Sequence, residues 1–201
     1  NSGWLPMPEQ VNGFSQVHVS GTGGGPKYGN ILVMPFGKGM DQLNHIDYRK
    51  DETIRLGYYA TEFQRTGIYT EITTAPRASF YRFTYPEDSL KSLLVDAGFF
   101  LAREAQQFVG SEIQIISDHE VMGYTRIRGG WNNGRAYTVY FYAVTDHPFV
   151  QTTTWKGNQI SNERYQPDSQ QKTGALLRFP SSANTIQLKV GISFISSLKA
   201  R

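Results

Sequence analysis

The chain has 201 residues, with 20 Lys and Arg against 17 Asp and Glu, no cysteine, 12 Tyr and 12 Phe. The lack of cysteine excludes disulfides, thiolate nucleophiles and thiolate-bound metals, and the aromatic content is typical of an ordered globular protein. Apolar runs are too short to span a bilayer, so we expect no membrane partner. A net charge of +3 without a basic run argues against a nucleic-acid partner.

Period-two alternation of apolar and polar residues predicts about a dozen short strands. The clearest is the last, in which Ile186, Leu188 and Val190 alternate with polar residues, whereas residues 135–143 carry aromatic bulk on both faces and should be covered on both sides. Many strands separated by turn residues favour an all-β antiparallel sandwich. The predicted strands cover residues 13–19, 30–36, 54–61, 67–74, 78–85, 92–95, 112–116, 121–128, 135–143, 149–156, 175–179 and 185–194.

Two segments depart from this periodicity. Good helix formers between Phe99 and Phe108 predict one short helix, and the polar stretch of residues 158–173 is predicted to be a long surface loop. No linker or shift in composition divides the chain. We therefore expect a single domain over residues 1–201.

Common cofactor motifs fail on spacing. In the glycine-rich segment Gly21-Thr22-Gly23-Gly24-Gly25, the third glycine of the dinucleotide fingerprint is replaced, and Gly37-Lys38 is not followed by Ser or Thr as a phosphate loop requires. The triplet Asp118-His119-Glu120 alternates faces if it is extended, which favours a solvated turn over a metal site. No pair of carboxylates is distinguished as an acid and base.

Exposed aromatic side chains next to small polar residues suit sugar binding, because a pyranose ring stacks its C–H face on an aromatic ring and offers its hydroxyls to polar groups. Trp4, Trp131 and Trp155 are the candidates, and Trp131, within Gly-Gly-Trp-Asn-Asn-Gly, should be the most exposed. The run Phe80-Tyr81-Arg82-Phe83 is compatible with a stacking platform for bases, but an alternating strand favours core residues on one side and a snorkelling arginine on the other.

Several strings, read in order, resemble the amino-terminal domain of family 92 glycoside hydrolases, which are calcium-dependent exo-α-mannosidases. The most specific are Gly13-Phe14-Ser15-Gln16-Val17-His18-Val19-Ser20-Gly21-Thr22-Gly23 and Tyr28-Gly29-Asn30-Ile31-Leu32-Val33-Met34-Pro35. Further matches are Thr70-Glu71-Ile72-Thr73-Thr74-Ala75-Pro76-Arg77, Phe83-Thr84-Tyr85-Pro86, Gly129-Gly130-Trp131, Tyr137-Thr138-Val139-Tyr140-Phe141 and Val190-Gly191-Ile192-Ser193-Phe194-Ile195-Ser196. The resemblance covers nearly the whole chain.

This resemblance implies a β-sandwich that packs, in the family, against a carboxy-terminal (α/α)6 barrel, which we expect to follow residue 201. The barrel supplies the glutamate acid, the aspartate base and most ligands of a calcium ion that binds two mannose hydroxyls. The implied reaction inverts the anomeric centre. The resemblance therefore implies no catalytic residue and no metal ligand in this chain, with calcium as a cofactor of the parent enzyme. The family's first strands should precede Asn1.

Within the family the sandwich contributes one wall of the substrate pocket, and the glycine-rich segment is the part placed there. Where glycine stands, a backbone can approach a sugar closely. The sequence departs from the family pattern at three positions. The family usually has histidine where this chain has Gln16, frequently cysteine where it has Gly24, and usually aspartate where it has Asn30. These differences leave the linkage preference and the activity of the parent enzyme open. The substrate-binding residues implied by the resemblance are His18, Ser20, Thr22, Gly23, Gly24 and Tyr28, to which Trp131 is added as the exposed aromatic.

The sequence thus predicts a non-catalytic domain of a periplasmic or secreted α-mannosidase, inactive alone, with a mannose-containing glycan and the barrel of the same polypeptide as its partners. A free-standing carbohydrate-binding module that uses Trp131 is the alternative. A module should bind a glycan without help, whereas half of a two-domain enzyme should expose an apolar docking face.

Overall fold

The computed structural model describes residues 9–18, 28–101, 106–129 and 134–201. In them the chain forms sixteen strands and one short helix. The strands are β1 (Gln10–Val11), β2 (Phe14–His18), β3 (Tyr28–Phe36), β4 (Asp47–Arg55), β5 (Tyr58–Phe63), β6 (Tyr69–Ala75), β7 (Ala78–Thr84), β8 (Ser92–Asp96), β9 (Gln107–Ile115), β10 (Glu120–Arg128), β11 (Tyr137–Thr145), β12 (Gln151–Lys156), β13 (Gln159–Ser161), β14 (Tyr165–Ser169), β15 (Thr173–Arg178) and β16 (Thr185–Ser193). The helix is α1 (Ser197–Ala200).

The strands form two antiparallel sheets. The larger has ten strands in the order β1-β4-β5-β6-β7-β16-β11-β10-β9-β14, and the smaller has six in the order β13-β12-β15-β8-β3-β2. Apolar residues from both sheets belong to one buried cluster, with Phe83, Phe141 and Leu188 from the large sheet and Val33 and Val95 from the small one. The predicted antiparallel sandwich is confirmed.

Alternation in the sequence places side chains as expected in the central strands. Ile186, Leu188 and Val190 are buried in β16. In β7, Tyr81 and Phe83 lie in the core while Arg82 stays exposed and donates through Nη2 to Glu71 Oε1 at 2.6 Å. The alternation in β16 does not extend to Phe194, which lies beyond the strand and is exposed.

Two predictions about segments are wrong. Residues 158–173 are not one loop, because β13 and β14 lie within them. Each is the edge strand of its sheet, with a neighbouring strand on one side only, so polar residues can form it. Residues 54–61 are not one strand but contain a hairpin between β4 and β5, with Gly57 at φ 73° in the turn. These hairpins and polar edges explain why there are more strands than alternation predicts.

The predicted helix between Phe99 and Phe108 is also wrong at its described ends. Phe99 and Phe100 lie outside helices, and Gln107 and Phe108 begin β9, paired with Arg128 and Ile127; residues 102–105 lie outside the described residues. Sheet pairing overrides local helix propensity here. The helix that forms, α1, is capped by Ser196, whose side chain accepts a hydrogen bond from Lys199 N.

Candidate functional site

The hairpin formed by β2 and β3 has an unusual backbone. Val17, Tyr28 and Ile31 have φ values of 50°, 67° and 58°, in the left-handed region that β-branched and bulky residues rarely adopt. The pairing shifts register between Ser15 and Gln16, and its last pair is His18 with Tyr28. Residues 19–27, which connect the two strands, lie outside the described residues. Such concentrated strain is characteristic of binding and catalytic sites.

Packing from the segment after β8 holds this strained backbone in place. Ile31 N donates to Phe99 O at 3.2 Å, and Leu101 N donates to Tyr28 O at 2.8 Å. At Gly29, with φ 54°, an added Cβ would lie 2.6 Å from the Leu101 side chain. Only glycine therefore fits between β3 and this segment.

His18 presents a hydrogen-bond acceptor at the end of β2. Its Nε2 lies 2.9 Å from the Ser15 carbonyl oxygen and 2.9 Å from Ser15 Oγ. Because a carbonyl oxygen can only accept, Nε2 carries the hydrogen and Nδ1 keeps a lone pair in the neutral ring. Burial lowers the pKa of His18, while the hydrogen bond to the Ser15 backbone acts in the opposite direction. Nδ1 is buried without a partner among the described residues.

Two amide groups near Tyr28 present donors. Tyr28 N donates to Gln106 Oε1 at 3.2 Å, and Tyr137 OH donates to Asn30 Oδ1 at 3.3 Å. The rings of Tyr28 and Tyr137 meet edge to face, with centroids 5.8 Å apart. Asn30 and Gln106 are buried, and in the described part of the chain their NH2 groups, Asn30 Nδ2 and Gln106 Nε2, have no hydrogen-bond partner. Unpartnered buried donors cost free energy, which a ligand can recover.

Gln16 connects the hairpin to the opposite sheet. Its Nε2 donates to Tyr81 OH at 2.7 Å, and its Oε1 accepts from Ser79 Oγ at 3.0 Å, both residues being in β7. Both ends of the buried amide are therefore occupied. The glutamine, at a position where the resemblance has a histidine, anchors β2 to the large sheet.

The structure describes only part of the predicted site. His18 and Tyr28 are paired neighbours across the hairpin. Ser20, Thr22, Gly23, Gly24 and Trp131, and the further candidate Trp4, lie outside the described residues. Trp131 belongs to the connection between β10 and β11, and Tyr137, which packs on Tyr28, is the first residue of β11.

Other candidates from the sequence are placed away from this site. Trp155 is 5% exposed, and the Cβ of a residue at Gly174 would lie 2.0 Å from its ring, so its suggested role as an exposed sugar-binding residue is wrong. Asp118 and His119 lie in the bend between β9 and β10, as expected for a turn. Among the described residues no group of three or more metal-ligating side chains occurs.

Sequence reasoning missed Gln106 and Tyr137 as members of the site. Gln106 is distant in sequence from the hairpin, and its neighbours read as a helix, so no local signal marks it. Asn30 stood out only as a departure from the family pattern. Pairing of β3 with β2, and the approach of residues 97–101 to β3, create the cluster.

A two-sheet antiparallel sandwich, with a strained β2–β3 hairpin beside buried polar groups, defines an all-β domain. Residues 1–193 match the model of the Glycosyl hydrolase family 92 N-terminal domain, and the chain belongs to this family.

Relatives and solved structures agree with the family. The chain is 31% identical over 100 residues to an uncharacterized secreted glycosidase of Arthroderma benhamiae, a match covering 45% of this chain and 13% of that protein. A family GH92 alpha-mannosidase from Bacteroides thetaiotaomicron superposes with a TM-score of 0.86 at 25% identity, covering 100% of this chain and 28% of that one. A family GH92 inverting mannosidase from the same organism shares the fold, with a TM-score of 0.78, 22% identity and coverage of 96% and 25%.

The chain therefore spans about a quarter of the solved structures that it resembles. Among its described residues, the structure contains no helix with the length and apolar character needed to cross a membrane.

Proposed function

We propose that this chain is the non-catalytic sandwich domain of a secreted or periplasmic hydrolase that removes terminal α-mannose with inversion, and that its β2–β3 hairpin forms one wall of the substrate pocket. The observation that carries the proposal is the set of unpartnered groups beside the hairpin. One acceptor, His18 Nδ1, and two donors, Asn30 Nδ2 and Gln106 Nε2, lack partners within the described residues.

This combination suits a sugar. A hydroxyl group both donates and accepts, so one hydroxyl can donate to the His18 Nδ1 lone pair while another accepts from an amide NH2. The neutral histidine, which burial favours by lowering its pKa, keeps the lone pair available. The family membership and the alpha-mannosidase among the structural neighbours support mannose as the sugar.

Calcium does not fit the described residues of the site. Calcium takes oxygen ligands, mainly carboxylates and carbonyls, whereas the unpartnered atoms here are a ring nitrogen and two amide nitrogens. We therefore propose that any calcium is bound by other residues than these, and that the acid and the base belong to a part of the protein outside this chain. The role of the described residues is to orient hydroxyls and exclude water.

We also propose that the chain has a docking face for that catalytic part. Phe194, Ile195 and Leu198, in and beside α1, are 56%, 71% and 76% exposed. Monomeric proteins seldom expose neighbouring large apolar side chains without a partner. The solved GH92 structures are about four times as long as this chain, and we assign the patch to contact with the corresponding barrel.

The test uses the full-length protein with mannosides as substrates. His18→Ala and Asn30→Leu should each lower kcat/KM by roughly 10- to 100-fold, as expected for loss of one or two hydrogen bonds to substrate. The matched control is His147→Ala, because His147 is an exposed histidine far along the chain, beside Asp146. It should leave kcat/KM unchanged.

Two results would contradict the proposal. Full activity of the His18 and Asn30 variants, with unchanged thermal stability, would show that the hairpin does not contact the substrate. Release of mannose by the isolated 201-residue chain, with or without calcium, would show that the chain is itself catalytic.

A further inference from the structure

A second group of polar and aromatic side chains lies on the outer face of the large sheet. In β10, Val121, Thr125 and Ile127 point into the core, so Tyr124 and Arg126 point away from it. Strand register places Glu112 and Tyr140 directly beside Tyr124. We name this surface the tyrosine face, and define it by Glu112, Tyr124, Arg126, Tyr140, Tyr165 and Asp168.

The members of the tyrosine face hold one another in place. Tyr124 and Tyr140 meet edge to face with centroids 5.5 Å apart, and the Arg126 guanidinium lies 5.7 Å from the centre of the Tyr124 ring. Arg126 Nη2 donates to Asp168 Oδ2 at 2.6 Å, and Tyr165 OH donates to Glu112 Oε2 at 3.1 Å. Because these contacts fix the rotamers in advance, a ligand loses less affinity to side-chain ordering.

A glycine keeps this surface low. The Arg126–Asp168 pair crosses Gly110 of β9, where an added Cβ would lie 2.5 Å from Asp168 Oδ1 and 3.0 Å from Arg126 Nη2. Without a side chain at that position, the ion pair lies close against the backbone. The pair therefore forms the side of a shallow platform instead of a ridge.

The chemistry of the tyrosine face matches a neutral glycan. Tyrosine rings offer stacking surface for the C–H face of a pyranose. Each carboxylate has about four acceptor positions, one of which Glu112 uses for the hydrogen bond from Tyr165 OH, and the guanidinium carries further N–H donors. Tyr165 and the Asp168 side chain are 46% and 41% exposed, and Tyr124 and Tyr140 are half-buried with part of each residue accessible.

Other ligand classes fit less well. Two carboxylates against one arginine would repel a phosphate backbone. An apolar protein surface would find no aliphatic side chain among the residues that define the tyrosine face. The hydroxyl groups of a glycan can use both the carboxylates and the guanidinium.

We propose that the tyrosine face is a glycan-binding surface, separate from the β2–β3 hairpin, which holds neutral polysaccharide by stacking on Tyr124 and Tyr140 and by hydrogen bonds to Glu112, Arg126 and Asp168. Glycan binding by the tyrosine face does not depend on the proposed hydrolase function. A surface of this kind keeps a polymeric substrate close to a protein without taking part in its cleavage.

The test is binding of yeast mannan and of dextran to the full-length protein, measured by affinity electrophoresis and titration calorimetry. Tyr124→Ala and Asp168→Ala should each weaken binding by about five- to tenfold for at least one of the two glycans. Tyr69→Ala is the control, because Tyr69 is an exposed tyrosine on β6 of the same sheet and lies outside the tyrosine face. It should bind like the parent.

Further variants separate this surface from the hairpin and from misfolding. His18→Ala should retain polysaccharide binding even where activity is lost, so failure of one proposal leaves the other standing. Tyr124→Phe keeps the ring and its packing and should retain binding. Comparing the thermal stability of the two Tyr124 variants identifies any misfolding of Tyr124→Ala. Absence of binding by the parent protein to both glycans, or equal binding by Tyr124→Ala, Asp168→Ala and the parent, would overturn the proposal.

Discussion

Replacing Asp96 by asparagine should stabilise the domain at neutral pH and leave its stability nearly unchanged in acid. Asp96 is the last residue of β8, between Leu32 of β3 and Gly174 of β15. Burial raises the pKa of its carboxyl to about 6 from 3.8, although the Lys172 ammonium and hydrogen bonds from the backbone at Gly98 and Phe99 act in the opposite direction. Part of the residue's surface remains accessible, while its carboxyl group is surrounded by protein atoms.

The sign and size of the effect follow from linkage. Because the pKa is higher in the folded state than in the unfolded one, the folded state binds the proton more tightly, and stability falls as the pH rises from about 4 through about 6. A shift of about 2 units corresponds to about 3 kcal/mol. Since some of the residue is accessible, we expect about 2 kcal/mol at neutral pH. Asparagine is neutral, and its Oδ1 can still accept from Gly98 N, which lies 2.9 Å from Asp96 Oδ1.

Urea unfolding of the parent and Asp96→Asn, followed by tryptophan fluorescence between about pH 4 and pH 8, measures the difference directly. The free energies of unfolding should agree near pH 4 and diverge by about 2 kcal/mol in favour of the variant above pH 7. Asp88→Asn, at an exposed position in the turn after β7, is the matched control and should show no such divergence. A variant that is destabilised equally at every pH would refute the reasoning.

Two further predictions concern packing and buried polar groups. Asp47 is fully buried, and its carboxylate accepts hydrogen bonds from Tyr48 N, Arg65 N, Thr66 N and Thr66 Oγ1 at 2.7 to 3.2 Å. Asp47→Asn should lower the free energy of unfolding by about 2 to 3 kcal/mol, because its amide NH2 would face these donors. A loss below about 0.5 kcal/mol in urea unfolding would contradict this. Gly174→Ala should destabilise by about 1 to 3 kcal/mol, since the new Cβ would lie 2.0 Å from the Trp155 ring; a loss below about 0.5 kcal/mol in thermal unfolding would contradict this.

Much of the sandwich can be predicted from the sequence because alternation in a strand is a local property. Val190 and Leu188 must share a face wherever the strand lies, and burying that face decides its register. The same reasoning correctly placed Tyr81 and Phe83 inside and Arg82 outside. His18 and Tyr28 were recognised through a motif, and the structure pairs them across one hairpin.

Tertiary structure alone decided the rest, since it depends on contacts between distant segments. Polar β13 and β14 became strands only because each sheet offered a free edge, and Trp155 was buried only because Gly174 in the neighbouring strand leaves room for its ring. Gln106 joined the site because its side chain accepts a hydrogen bond from Tyr28 N at the start of β3. Local sequence determines which way a side chain points along a strand, whereas the strand that lies beside it, and hence the chemistry of the site, is determined by the packing of the whole chain.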